Sequence, residues 1–145
     1  MGNHQNCAGF VIACMDYRIQ KAVDDLIDSL INIGRFDRVS VAGGAGNTGV
    51  LFDQIIKSLR LHRPELVVLV AHEECGDGAT RKDLIRNFIR LSVWLPEEDE
   101  VRAFWLRKIT DEEWVPEEVI LSDAQRAMVA EMRRLRIQLM NELVG

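Results

Sequence analysis

Leu66-Val67-Val68-Leu69-Val70-Ala71 is an unbroken apolar run, and His72-Glu73-Glu74-Cys75 follows it at once. Such a run, with Pro64 before it and Gly76 after it, reads as a strand buried on both faces, as in parallel sheets whose crossovers are helices. Phe10-Val11-Ile12-Ala13 repeats the arrangement and leads directly into Cys14-Met15-Asp16-Tyr17-Arg18. Two buried strands therefore end in two thiols, one imidazole and a carboxylate–guanidinium pair. In an open α/β sheet, ligands bind outside the carboxyl ends of the strands, where the strand order reverses. Neighbouring strands lie ~4.8 Å apart. Zinc bonds of roughly 2.0–2.3 Å to nitrogen and sulfur can span that gap.

Outward from these two stretches the pattern is βαβαβα…βα. The first strand covers Gly9–Ala13, and residues 1–8 are polar and expected to be loose. Ile19, Ala22, Val23, Leu26, Ile27 and Leu30 recur at helical spacing over Arg18–Leu30. A second strand is expected at Arg38–Ala42. The loop Gly43-Gly44-Ala45-Gly46-Asn47-Thr48-Gly49 follows, then a helix over Val50–Leu61. After the strand Leu66–Ala71, a helix is expected over Thr80–Leu95, stopped by Pro96 and the acidic run Glu97–Glu100. A short helix over Val101–Lys108, a fourth strand at Val119–Leu121 and a long final helix over Ala124–Leu143 complete the reading. The final helix carries Met128, Met132, Leu135 and Leu139 as an apolar stripe, expected in the core or at a subunit contact. Trp94, Trp105 and Trp114 are expected as one cluster closing a side of the sheet. The fold class is thus a three-layer α/β/α domain over residues 9–145, with a mostly parallel sheet of about four strands in the order 2-1-3-4.

The chain's 145 residues suit one domain with a real core. Its hydrophobic fraction of 48% is generous for that size, which leaves some apolar surface to be covered between subunits. A net charge of −5 disfavours a nucleic-acid partner. Nothing reads as a signal peptide and no apolar run reaches the ~20 residues that span a bilayer. Three cysteines make no disulfide framework. A reducing cytoplasm without membrane attachment is the expectation.

Cys14, His72 and Cys75 are three soft or borderline ligands, and three protein ligands leave zinc a fourth position for water, the catalytic arrangement. Cys7 precedes the first strand and should lie near the opposite edge of the sheet, so it is set aside. Two thiolates neutralise the dication, so a nearby hydrogen-bond acceptor would help generate hydroxide near neutral pH. Asp16 can serve as that acceptor, or swing in and close the site. Arg18 can hold it off the metal with a bidentate fork. The bland alternative is that Asp16 caps the first helix and Arg18 is a solvated residue in its first turn. Glu73, Glu74 and Asp77 read as solvent-facing charge beside the ligand loop.

Cys-x-Asp-x-Arg after the first strand and His-x-x-Cys-Gly after the third resemble the paired signatures of the beta-class carbonic anhydrases, over roughly residues 10 to 80. The resemblance implies that Cys14, His72 and Cys75 bind Zn2+, and that Asp16 and Arg18 form the dyad orienting a metal-bound hydroxide. It further implies reversible hydration of carbon dioxide to bicarbonate, and a homodimer or higher homo-oligomer. Family members often carry an arginine in the loop after the second strand, where this chain has Gly43, and a helical arm where this chain has about eight residues. Carbonyl sulfide and carbon disulfide are alternative substrates for the same zinc chemistry.

Gly44-Ala45-Gly46-Asn47-Thr48-Gly49 also matches G-x-G-x-x-G between a strand and a helix, which supports an alternative reading as a nucleotide-binding module. With a metal at the strand ends, Gly44, Ala45 and Gly46 instead bring backbone N–H groups close enough to bind the substrate anion. A third reading keeps the fold and the zinc without catalysis.

Overall fold

Among the described residues, five strands form one sheet in the order β2-β1-β3-β4-β5: β1 (Gly9–Cys14), β2 (Phe36–Val41), β3 (Leu66–His72), β4 (Glu100–Lys108) and β5 (Trp114–Val119). The computed structural model describes residues 7–31 and 35–145. The expected looseness of residues 1–8 falls mainly on 1–6, outside the described residues. Cys7 and Ala8 are tied into the structure: Glu65 N donates to Cys7 O at 3.3 Å and Ala8 N to Arg35 O at 2.6 Å. The first four strands run parallel, and β5 is antiparallel to β4. The register sets Ile12 beside Leu69, so the strands carrying Cys14 and His72 are neighbours.

Four helices cover the sheet: α1 (Gln20–Leu30), α2 (Thr48–Leu61), α3 (Arg81–Trp94) and α4 (Asp123–Val144). Alternate residues of each central strand serve opposite faces. Phe10, Ile12, Leu69, Ala71 and Trp105 pack with Leu51 and Ile55 of α2 and Leu84 and Leu91 of α3. Val11, Ala13, Val70 and Leu106 pack with Val23, Leu26 and Ile27 of α1. Each Val, Leu, Ile or Phe among them contributes about 1.5–3 kcal/mol on burial, which is why both faces need a helical layer. The layering is the three-layer α/β/α expected. Local chemistry sets the helix starts. Thr80 and Asp83 form a reciprocal capping box, Ser122 and Gln125 another, and the Asn47 side chain caps α2.

The second half of the chain corrects the reading in two places. Val101–Lys108 is not a helix but the core of strand β4. Ala103, Phe104, Trp105 and Leu106 are all buried, because β4 lies between β3 and β5 and is covered on both faces. A continuous apolar run has no period that distinguishes strand from helix. The expected fourth strand is therefore the fifth, and it lies earlier, at Trp114–Val119. Pro116 sits within it without penalty because β5 is the sheet's edge.

The tryptophans do not form one cluster. Trp105 and Trp114 belong to opposite faces of the sheet, and Trp94 is 61% exposed. The stripe Met128, Met132, Leu135 and Leu139 is exposed rather than in the core. Helix α4 rests on α3 through buried Val129, while Arg133 Nη2 and Arg136 Nε donate to Ser92 O and Val93 O. No helix of the described residues is long and apolar enough to cross a membrane.

Candidate metal centre

The carboxyl ends of β1 and β3 carry the chemistry. Cys14 closes β1 and His72 closes β3, and the loop after β3 returns Cys75 to the same place. Ligand atoms of Cys14, His72 and Cys75 all lie within 4.8 Å of one another. The two sulfurs are 3.9 Å apart. Two thiolates on one tetrahedral zinc, each bond about 2.3 Å, stand about 3.8 Å apart, so the pair already has the required spacing.

His72 is 1% exposed. Its Nδ1 donates to Glu73 O at 2.6 Å, so the proton sits on that nitrogen and Nε2 presents a lone pair. That Nε2 is buried without a hydrogen-bond partner. Its neighbour Asp16 Oδ2 is 3.9 Å away, too far for a hydrogen bond. A buried polar atom left unmatched costs about 1–3 kcal/mol. An ion at Nε2 removes that cost, and the donor set of two thiols and one imidazole suits zinc. Burial pushes the Cys14 thiol above its ordinary value, partly offset by backbone hydrogen bonds from Asp16 and Gly43, and burial lowers the His72 imidazole.

Asp16 stands beside this cluster. Arg18 grips its carboxylate, with Nε 3.1 Å from Oδ1 and Nη2 2.7 Å from Oδ2. Arg18 N also donates to Oδ1 at 3.0 Å, so Asp16 caps the short 3-10 turn Tyr17–Ile19 as well as pairing with Arg18. The pairing with Arg18 and the capping expected from sequence thus coexist, although the cap serves this turn rather than α1, whose N-cap is Ile19. The Arg18 guanidinium holds the Asp16 carboxyl down at about 2, against an ordinary 3.8. Gln20 Nε2 donates to Cys14 O and Asp16 O, fixing the turn that separates them.

Arg18 is itself anchored. Nη2 donates to Glu74 O at 3.1 Å, and Cζ lies 5.5 Å from the centroid of Trp114. Glu74 adopts a φ of 53°, uncommon for a residue with a side chain, and this tight turn sits between His72 and Cys75. Its carboxylate accepts from Lys108 Nζ at 2.9 Å, and the Glu73 carboxylate accepts from Lys108 N at 2.8 Å. Glu73 is thus a half-buried strut between the ligand loop and the end of β4, whereas Glu74 faces solvent as expected while also pairing with Lys108.

A cavity of about 380 Å³ opens beside the cluster, lined by Cys14, Met15, Asp16, Tyr17, Arg18, Ala42, Gly76 and Asp77. Gly44, Ala45 and Gly46 are not in its lining. They lie against the strand ends: a Cβ at Gly44 would meet Cys14 N at 2.5 Å and Val70 O at 2.7 Å, and one at Gly46 would meet Ala79 Cβ at 2.6 Å. Ala45 O accepts from Asn87 Nδ2 of α3. The glycines at 44 and 46 are thereby accounted for by close packing, without a nucleotide. As expected, Cys7 lies at the opposite edge of the sheet.

No family model matches the chain and no curated protein matches it in sequence. Solved structures do. A carbonic anhydrase from Streptococcus mutans superposes with a TM-score of 0.55 and 17% identity, over 80% of this chain and 83% of that one. The b-carbonic anhydrase of the fungal pathogen Aspergillus fumigatus gives 0.53 and 13%, over 88% and 84%. A carbonic anhydrase from Glaciozyma antarctica gives 0.52 and 13%, over 79% and 84%.

The fold is that of the beta-carbonic anhydrases. Within the beta-carbonic anhydrase fold, the paired strand-end motifs of this chain converge as the sequence suggested. Sequence reasoning missed Trp114, whose ring meets His72 edge-on at 5.6 Å and 84°, and Lys108, which braces Glu73 and Glu74. It also missed Gln20. Only the pairing of β4 with β5 brings Trp114 back to the site, and no spacing in the sequence reports that pairing.

Proposed function

We propose that the protein is a zinc-dependent carbonic anhydrase, catalysing reversible hydration of carbon dioxide to bicarbonate. One observation carries the reading: on a carbonic-anhydrase fold, Cys14, His72 and Cys75 converge around an unmatched buried imidazole nitrogen, with an arginine-locked carboxylate beside them. Cys14 Sγ, His72 Nε2 and Cys75 Sγ would hold the ion. Zinc bound there supplies a Lewis acid that makes water acidic near neutral pH.

The chain's own groups do the rest. Asp16 accepts a hydrogen bond from the reacting water and orients it toward the substrate carbon. Arg18 keeps Asp16 ionised and keeps its oxygens turned toward the guanidinium, out of the cluster. Gln20 fixes the spacing of Cys14 and Asp16, while Glu73 O and Trp114 fix the His72 ring. A small uncharged substrate fits the cavity, whose mouth carries the apolar side chains of Met15 and Ala42. Gly44, Ala45 and Gly46, which do not line that cavity, act from behind it, Gly44 letting their loop pass against Cys14 N. Three reduced cysteines suit a cytoplasmic setting, and the exposed apolar side chains of Met15, Tyr17, Ile56 and Trp94 suit a homodimer.

The test is stopped-flow hydration of carbon dioxide by zinc-loaded protein between pH 7 and 9, with carbonyl sulfide and carbon disulfide hydrolysis measured on the same sample. Turnover of carbon dioxide that disappears in Cys75→Ser supports the reading. Stoichiometric zinc with no hydration at any of these pH values overturns it, and turnover of a sulfur substrate alone would reassign the activity.

A further inference from the structure

The opposite edge of the sheet holds a second cluster of metal-ligand type that the hydration chemistry does not use. Ligand atoms of Cys7, Asp37 and His62 all lie within 4.8 Å of one another. They come from three separate segments. Cys7 precedes β1, Asp37 is the second residue of β2, and His62 follows the last turn of α2. The pairing of Phe10 with Asp37 across β1 and β2, and the hydrogen bond from Glu65 N to Cys7 O, bring these segments together at the strands' amino ends.

The cluster is held together by hydrogen bonds of its own. His62 Nδ1 faces the Asp37 carboxylate, 2.8 Å from Oδ2 and 3.0 Å from Oδ1. Ser58 Oγ donates to Asp37 Oδ2 at 2.6 Å, fixing the carboxylate from behind. Such outer hydrogen bonds are what orient carboxylates and imidazoles that hold metals. The Cys7 thiol donates to Gly9 O at 3.1 Å. Of the cations that line the adjoining cavity, Arg38 pairs with Asp24 and Lys57 with Asp53. A cavity of about 270 Å³, lined by Asp37, Ser58, Gln54 and His62 among others, gives an ion and its water access to this edge.

The geometry points to a second zinc-class site, formed by Cys7 Sγ, one Asp37 oxygen and His62 Nδ1. One thiolate, one imidazole and one carboxylate form a donor set of zinc character, with a fourth position left to water on the cavity side. Ligands on one tetrahedral ion with bonds of about 2.0–2.2 Å stand about 3.3–3.5 Å apart. Loading therefore opens the Asp37–His62 contact by about 0.5 Å and turns Cys7 from Gly9 O. Side chains 31% and 30% exposed have room for that movement. On binding, the ion replaces the Sγ proton of Cys7, and the His62 proton resides on Nε2. The ion joins the starts of β1 and β2 to the end of α2, on the edge away from Cys14 and Cys75.

The full chain carries three cysteines, so a Cys14→Ser/Cys75→Ser variant leaves Cys7 as its sole thiol. This double variant, stripped of metal, is titrated with zinc, and separately with cobalt to read the thiolate-to-metal absorption band. We expect one equivalent of zinc and a thiolate band. Both should be lost when Cys7→Ser is added, and the bound equivalent lost with His62→Gln. In the otherwise native chain, two equivalents are expected, falling to one in Cys7→Ser with carbon dioxide hydration unchanged. Circular dichroism checks that each variant folds. Should His62→Gln unfold, Cys7→Ser, which leaves the Asp37–His62 contact in place, decides alone. A folded double variant that binds no zinc, or whose bound metal is indifferent to Cys7→Ser, overturns the inference. The native chain would then bind one equivalent, lost in the double variant, and the strand-end centre would stand. A native chain that binds only one equivalent, which survives in the double variant and vanishes with Cys7→Ser, would instead remove the strand-end centre and keep this one.

Discussion

Replacing Gly44 by alanine tests the claim that the glycine loop exists to let the backbone pass under the metal ligands. Gly44 has a φ of +52°, and an added Cβ would meet Cys14 N at 2.5 Å, Val70 O at 2.7 Å and Ala13 C at 2.8 Å. All three are backbone atoms of β1 and β3, so no side chain can swing away. The left-handed conformation costs alanine about 1–2 kcal/mol. Overpacking adds about 1–3 kcal/mol. The combined cost is about 2–5 kcal/mol. For 145 residues, an unfolding entropy of about 0.3 kcal/mol per degree turns this into a Tm lowered by about 7–16 °C. Relief of the contact must also move Cys14 N, so zinc affinity falls with stability. The control is Gly49→Ala in the first turn of α2, where a Cβ meets nothing within 4 Å. There alanine's better helix propensity leaves Tm unchanged or raised by up to about 3 °C. Differential scanning calorimetry on both variants, with and without zinc, gives the comparison. If Gly44→Ala melts within about 2 °C of the parent and binds zinc equally well, close packing is not the reason for that glycine.

Asp16→Asn should keep the strand-end zinc, since Asp16 is outside the ligand cluster, while hydration falls by about 10²–10⁴-fold with the loss of the ionised acceptor. Stopped-flow rates beside elemental analysis read both quantities, and equal loss of metal and rate would make Asp16 a ligand instead. Cys75→Ser should lose the strand-end zinc and hydration together, measured by dialysis against a chelator followed by metal analysis; retention of that zinc would disqualify Cys75. Trp114→Ala removes a side chain that is 6% exposed, at about 3–5 kcal/mol in chemical denaturation. Because the ring backs His72, zinc should also bind about 10–100-fold more weakly. Trp114→Phe should recover much of both, and a stability loss with zinc binding untouched would deny the ring any hold on His72.

The first half of the chain was legible because each element states its own type. Leu66–Ala71 and Phe10–Ala13 are short apolar runs between turn residues, and the helices after them show clear 3.6-residue spacing. The candidate ligands were legible because they stand at strand ends, where side-chain chemistry is not needed for packing. Val101–Lys108 failed for the opposite reason. Ala103, Phe104, Trp105 and Leu106 are buried on both faces, so neither period shows, and the preceding acidic run made a short helix as plausible as a strand. The stripe on α4 failed because spacing identifies an apolar face without saying whether another surface covers it. Glu73 looked like solvated charge because its partner, Lys108, lies more than thirty residues away in sequence.

The hairpin of β4 and β5 alters what counts as the minimal functional unit. Every residue named as a ligand or dyad member occurs by position 75, yet the clamps on His72, Glu73, Glu74 and Arg18 come from Lys108 and Trp114. A fragment cut after the last ligand would carry the complete signature and lack the frame that aims it. In this chain the signature marks a candidate ion site, and a later hairpin braces it.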